Sequence, residues 1–297
     1  MSACPIENII QAQPLAEGAG VVVHRTIGTP RLRNFDPFLM LDHFGSDNPN
    51  EYIAGFPNHP HRGFITLTYM LDGHMLHEDS MGNRGDLRAG GAQWMKAASG
   101  VIHSEMPQQT DGLMRGFQLW INLPANQKMS PPAYQEFSAE AFPVAPYGDA
   151  SVKVLCGELH AHDKSNKIVG PITDPNTDIF YFDVAIKSSG AVDIPVPTGH
   201  RCFVYCYDGH ASLVSEEGEH VIPQHCLVAL GFGKKICIRS SNVDAKLIVV
   251  GGQPIGEDIV QYGPFVMNSR DEIERAITDF QAGRLVQEKA GFTTNTT

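Results

Sequence analysis

The chain has 297 residues, 42% of them hydrophobic, with 29 glycines and 20 prolines spread along its length. That is enough for two domains of ordinary size, and it excludes collagen-like and disordered readings. The 22 basic and 33 acidic residues give a net charge of −11, which speaks against counterion-releasing contact with nucleic acid. No apolar run approaches the ~18 residues of a membrane span, and residues 1–20 lack a basic start followed by an apolar block. A cytoplasmic monomer without membrane contact is expected.

From 21 to 123 the chain reads as short strands separated by turns. Residues 64–71 begin with strict alternation and run into Asp72-Gly73, and Gly82-Asn83, Gly85-Asp86 and Gly90-Gly91 follow. Residues 127–146 carry Pro131-Pro132, Phe142-Pro143 and Ala145-Pro146 and read as a connector or irregular lid. The strand pattern resumes from 152 to 253, with segments at 179–186, 202–207 and 247–250. Tyr69-Met-Leu-Asp-Gly73 overlays Tyr205-Cys-Tyr-Asp-Gly209 at an offset of 136 residues, so the halves look like copies of one unit. Near the end, Ser269 and Glu272 make a capping box ahead of the stripe Ile273, Ala276, Ile277 and Phe280, which predicts one helix. The expected fold is all-β, two tandem barrels with a C-terminal helix. Residues 1–126 form the first barrel, 127–146 the connector, and 147–297 the second barrel with its helix.

The chemistry concentrates in His59-Pro60-His61 and, 42 residues after His61, His103-Ser104-Glu105. Residues two apart on a strand share a face, so two facing strands would direct three imidazoles and a carboxylate at one point. This donor set suits Fe, Cu, Ni or Zn, and on a six-coordinate ion it leaves two open positions. A closed structural zinc site is disfavoured because no cysteine lies in the segment. The bland alternative is four surface polar residues in loops, but two pairs of identical spacing in one strand unit argue against it. At the 136-residue offset Pro195 and Pro197 stand where the first half has His59 and His61, so only the first half is expected to bind metal.

Other groups carry weaker signals. His77 and Asp79 share a strand face and have the chemistry to orient a ligand imidazole, while a solvent-facing or structural role is the default for the run His77, Glu78 and Asp79. Arg62 suits a loop-fixing ion pair as well as a substrate contact. Trp94, Met95 and Met106 are candidates for a pocket wall or plain core. His160 and His162 look like a decoy pair in a polar loop. Cys4, Cys156, Cys202, Cys206, Cys226 and Cys237 show no C-x-x-C spacing and read as reduced, buried thiols. Asn295-Thr296-Thr297 matches a glycosylation sequon that has no meaning without a secretory signal.

The blocks His59-Pro-His-Arg-Gly-Phe64, His77-Glu-Asp-Ser-Met-Gly-Asn83, Gly100-Val-Ile-His-Ser-Glu-Met-Pro107, Gln118-Leu-Trp-Ile-Asn-Leu-Pro124 and Gly263-Pro-Phe-Val-Met-Asn268 resemble the pirin family of bicupin proteins. The resemblance spans roughly residues 20–285. It implies two cupin barrels of the double-stranded β-helix type. It also implies an Fe(II) ion, or another divalent transition metal, held by His59, His61, His103 and Glu105. Quercetin 2,3-dioxygenase activity on a flavonol with O2, releasing CO, is the implied reaction; Glu105, the one carboxylate of the donor set, is the candidate catalytic base. The alternative it carries is an iron-dependent, redox-responsive regulator that binds a transcription factor or metabolic enzyme. The chain departs from the family pattern twice. Ile65 stands where a glutamate is common, which makes Glu105 the sole acidic ligand and predicts a drier pocket, and Ala98 stands where proline is usual.

Overall fold

Alternation of apolar and polar residues on short segments cut by glycine turns leaves the backbone one economical way to satisfy its hydrogen bonds, antiparallel ladders folded face to face. The computed structural model, which describes residues 2–160 and 166–287, consists of such ladders with one helix of twelve residues, Arg270–Gln281. No helix among the described residues is long and apolar enough to cross a membrane.

The chain forms two compact units. In the first, a seven-stranded sheet runs in the order Ala133–Phe137, Ala92–Lys96, Phe64–Asp72, Met114–Asn122, Phe38–Ser46, Val21–Arg25, Gln13–Glu17. A four-stranded sheet in the same unit runs Phe56–His61, Val101–Pro107, His74–Asp79, Arg84–Arg88. The second unit repeats the plan. Its seven strands are Ile6–Gln11, Cys226–Leu230, Arg201–Asp208, Ala245–Gly252, Phe180–Ile186, Ala150–Cys156 and Val144–Tyr147, and its four are Ala191–Pro195, Lys235–Ser240, Ala211–Ser215 and Gly218–Ile222. Each is a cupin barrel, as the all-β expectation holds.

The units depart from the expected division at both ends and in the middle. Ile6–Gln11 pairs with Cys226–Leu230, so residues 2–12 belong to the second unit. The helix, expected there too, belongs to the first: Ile273 and Ala276 pack with Phe265, Met267 and Leu285, and Ile102 lies against them. The units change over at 139/140, inside the expected connector at 127–146, but that segment also gives a strand to each of them. Ala133–Phe137 forms a full ladder with Ala92–Lys96, and Val144–Tyr147 one with Ala150–Cys156.

The capping box is formed in both directions between Ser269 and Glu272. Two buried cations tie the C-terminal segment to the strand end that follows His61. Arg62, 2% exposed, donates to the Asp279 carboxylate at 2.9 Å, to the Ser99 carbonyl at 2.7 Å and to the Leu285 carbonyl at 3.2 Å. Lys128 donates to the carbonyls of Gly63 (2.8 Å) and Val266 (3.0 Å) and to Asn122 Oδ1 (2.7 Å). Burial pushes Lys128 down to about 7. Three acceptors nevertheless require three N–H groups, so this cage is built for the ammonium form. Gly63 lies at φ +92, and a Cβ there would sit 1.9 Å from the Val266 carbonyl, so the close approach requires glycine.

Laid on each other by register, the units correct the repeat by one residue. His59 pairs with His103, and in the second unit Ile194 pairs with Ile236. His77 pairs with Glu105, as Leu213 does with Ile238. Ile194 and Val196, rather than Pro195 and Pro197, therefore stand in the places of His59 and His61, and both are buried in an apolar cluster.

Candidate metal centre

Strand pleating brings the centre together. His59 and His61 end the strand Phe56–His61, and His103 and Glu105 share a face of its neighbour Val101–Pro107. The direct pair His59–His103 and a register shift between His103 and Glu105 gather the rings. Ring centroids lie 4.7 Å apart for His59–His61, 4.3 Å for His59–His103 and 4.9 Å for His61–His103. The ligand atoms of these three all fall within 4.8 Å of one another, and those of His77, His103 and Glu105 do likewise. The three imidazoles thus converge, and Glu105 flanks them on the His103 side.

The free nitrogens point to a cation. His59 Nδ1 lies 2.8 Å from the Pro57 carbonyl, which only accepts, so the proton is on Nδ1 and Nε2 carries a lone pair. His103 Nε2 is buried with no hydrogen-bond partner, and neither ring nitrogen of His61 completes a hydrogen bond. An unpartnered buried polar atom costs about 1–3 kcal/mol, a deficit that a bound metal would remove. Burial pushes His61 well below the usual imidazole value, the His59 ring adds to this, and the nearby Pro264 carbonyl opposes it. His103 is likewise lowered by burial and then by His61, His59 and His77. Both rings stay in the neutral, ligating form. The donor set fits a divalent transition metal.

Glu105, 2% exposed, accepts from the Thr68 hydroxyl at 3.1 Å and from Gln118 Nε2 at 2.8 Å. Gln118 Oε1 in turn accepts from the Trp120 indole N–H at 3.1 Å, which fixes the amide. A carboxylate has about four acceptor sites, so two remain for an ion. Trp120 and Phe64 stand edge-on to His61, at 5.2 and 5.0 Å, and wall the site with apolar surface.

The weaker candidates separate cleanly. The side chains of His77 and Asp79 are buried, not solvent-facing, and His77 lies 3.3 Å from His103, whereas Glu78 is exposed. Arg62 is spent on loop fixing. Met95 packs with Ala97, Val101 and Met81, Trp94 faces the other side of its strand from Gln93, and Met106 alternates away from Glu105. Ile65 does not dry the pocket: Thr68 faces Glu105, so Thr66 shares that face and Ile65 points away. Ala98 sits at φ 42, which proline cannot adopt, and its carbonyl accepts from the Gly63 N–H. His160 is exposed, and His162 lies outside the described residues, as does the sequon. Five cysteines are buried, Cys237 is half-buried and all are free thiols. Sequence reasoning missed Thr68, Gln93 and Gln118 as neighbours of the site. Their signal was available as polar residues at inward positions of strands otherwise apolar.

Residues 20–121 match the pirin family, and residues 181–286 match the pirin C-terminal cupin domain. The chain belongs to the pirin family. A Pseudomonas aeruginosa relative named "Putative quercetin 2,3-dioxygenase" is 46% identical over 92% of this chain and 94% of its own. Human pirin is 36% identical over 93% of this chain and 91% of its own. Among solved structures, a quercetin 2,3-dioxygenase from Acinetobacter baumannii is similar with a TM-score of 0.85 and 29% identity, covering 96% of this chain and 99% of that one. A bacterial pirin of Escherichia coli solved with nickel(II), at a TM-score of 0.62 and 16% identity, covers 83% of this chain and 98% of its own and shares the fold.

Proposed function

We propose that this family member is an Fe(II)-dependent dioxygenase that opens the central ring of a flavonol with O2, with His59, His61, His103 and Glu105 holding the ion. The observation that carries the reading is the convergence of three imidazoles, two of which (His61 and His103) have buried, unpartnered ring nitrogens, beside a single carboxylate. The dioxygenase names of the Pseudomonas and Acinetobacter relatives support the choice of reaction.

A bound divalent ion lowers the pKa of a hydroxyl that coordinates it. The residues of the chain supply the rest. Glu105 accepts the proton of the flavonol 3-hydroxyl on a carboxylate oxygen, and Thr68 and Gln118 hold that carboxylate in place during the transfer. Phe64 and Trp120 exclude water from the ring they face. His59 is half-buried while His61, His103 and Glu105 are buried, so substrate approaches from the His59 side.

Oxygen uptake with quercetin, on protein stripped and reloaded anaerobically with Fe(II), tests the reading against a His59→Ala control. Metal-dependent uptake with CO release is expected. A fully loaded sample that consumes no oxygen removes the dioxygenase assignment and leaves the iron-dependent regulator. Glu105→Gln should keep the fold and most metal while turnover disappears, and retained turnover would end its role as base.

A further inference from the structure

The imidazole of His77 is 1% exposed, is no member of the convergent triad, and touches polar groups on both of its nitrogens. Its Nε2 lies 3.3 Å from Asp79 Oδ2, and a carboxylate only accepts, so Nε2 carries the proton. Its Nδ1 then has a lone pair, in agreement with the Gln93 amide N–H that donates to it at 2.8 Å. The same Nδ1 faces His103 Nδ1 at 3.3 Å. That single lone pair is shared between the Gln93 N–H and, at the longer distance, His103, an arrangement that places the His103 proton on Nδ1. His103 Nε2, buried and without a partner, is thereby left with its lone pair directed toward His59 and His61.

We propose that His77 is a positioning residue for the ligand His103: Asp79 sets the tautomer of His77, and His77 sets that of His103 so that Nε2 faces the metal. This rests on the metal reading given above. Asp79 is itself immobilised, since it accepts from the Met81 and Asn83 N–H groups at 2.9 and 3.0 Å and from Asn83 Nδ2 at 2.6 Å. The ring of Tyr134 covers His77 at 5.1 Å. Such carboxylate–imidazole chains behind a metal ligand raise its basicity and fix its ring. A rival use of the same atoms is a second metal held by His77, His103 and Glu105. The contacts argue against it, because both nitrogens of His77 are already engaged. In the second unit Leu213 occupies the place of His77 and Ser215 that of Asp79, where Ile236 offers nothing to orient.

Two measurements test this. Co(II) titration of the metal-free chain compares wild type with His77→Leu, which deletes the acceptor, and with His77→Asn, whose amide oxygen can replace Nδ1. All three are checked for equal thermal unfolding, and His61→Ala serves as the control for metal at the triad. His77→Leu should bind Co(II) about 10–100-fold more weakly, His77→Asn should recover most of the loss, and all should take one ion per chain. Affinity unchanged in His77→Leu overturns the proposal, and a fall from two ions to one assigns a second metal site instead. Histidine 15N–1H spectra of the unmutated metal-free chain decide independently of folding. A proton on His103 Nδ1 and His77 Nε2 is expected, and a proton on His103 Nε2 refutes the relay. A wild type that takes no Co(II) ends the metal reading, while these spectra still decide the tautomers.

Discussion

The two barrels share strand order and pairing and differ in what fills them. Along equivalent inward positions the first unit carries Thr68, His77, Gln93, His103 and Glu105, and the second carries Val204, Leu213, Val228, Ile236 and Ile238. The second interior is a continuous apolar cluster that includes Cys4, Cys202, Cys206 and Cys226. Burial alone holds such a barrel together, at about 25 cal/mol per Å² of apolar surface. The first interior must satisfy each polar group with a named partner, because an orphan costs about 1–3 kcal/mol. The ladders that build both barrels thus tolerate either filling.

Removing a proposed ligand breaks the contrast most completely. His61→Ala should lose metal loading, as measured by metal content per chain after dialysis, whereas Val196→Ala, its counterpart by register, should leave loading unchanged. Arg62→Met tests whether the first unit depends on its ionic clasp: with Asp279 left only Arg284 at 3.7 Å and two carbonyls left unmatched, stability in urea should fall by about 3 kcal/mol. An effect below 1 kcal/mol would show the clasp to be dispensable. Leu213→His places an imidazole in the dry barrel without an Asp79 behind it. Lost apolar burial and a stranded ring should cost about 2–3 kcal/mol by chemical denaturation, and no loss would mean that the second interior admits water.

Acid should act on the first interior. His61 and His103 are held well below the ordinary imidazole range in the folded, metal-free chain, chiefly by burial. The unfolded chain therefore binds more protons below pH ~6.5, so the stability present above that pH is lost as pH falls toward the folded values. The slope should approach about 1.4 kcal/mol per pH unit for each histidine. Urea midpoints that stay level from pH 6.5 to 5.5 would contradict this. The smallest effect concerns a turn. Gly90 at φ 80 corresponds to His225 at φ 61, since their N–H groups donate to Met70 and Cys206 respectively. Gly90→Ala should cost about 1 kcal/mol, and a neutral result would show that the turn relaxes as freely as its counterpart carries histidine.

Much of this was legible in the chain. The alternation at 64–71, the Asp72-Gly73 turn and the capping box at Ser269 depend on neighbours a few residues away, so local chemistry dictates them. The spacing of His59-Pro60-His61 and His103-Ser104-Glu105 put each pair on one strand face before any fold was known, because a strand has a period of two. Other features required the folded chain. Which barrel takes Ile6–Gln11 and which takes the helix depends on edges created only when the sheets close. The one-residue slip that puts Ile194 opposite Ile236 follows from pairing, which the offset of 136 does not record. Above all, the proton on His103 is set by His77 and Asp79, 26 and 24 residues earlier in the chain. No spacing rule reaches that far, because the contact exists only where Val101–Pro107 and His74–Asp79 lie side by side.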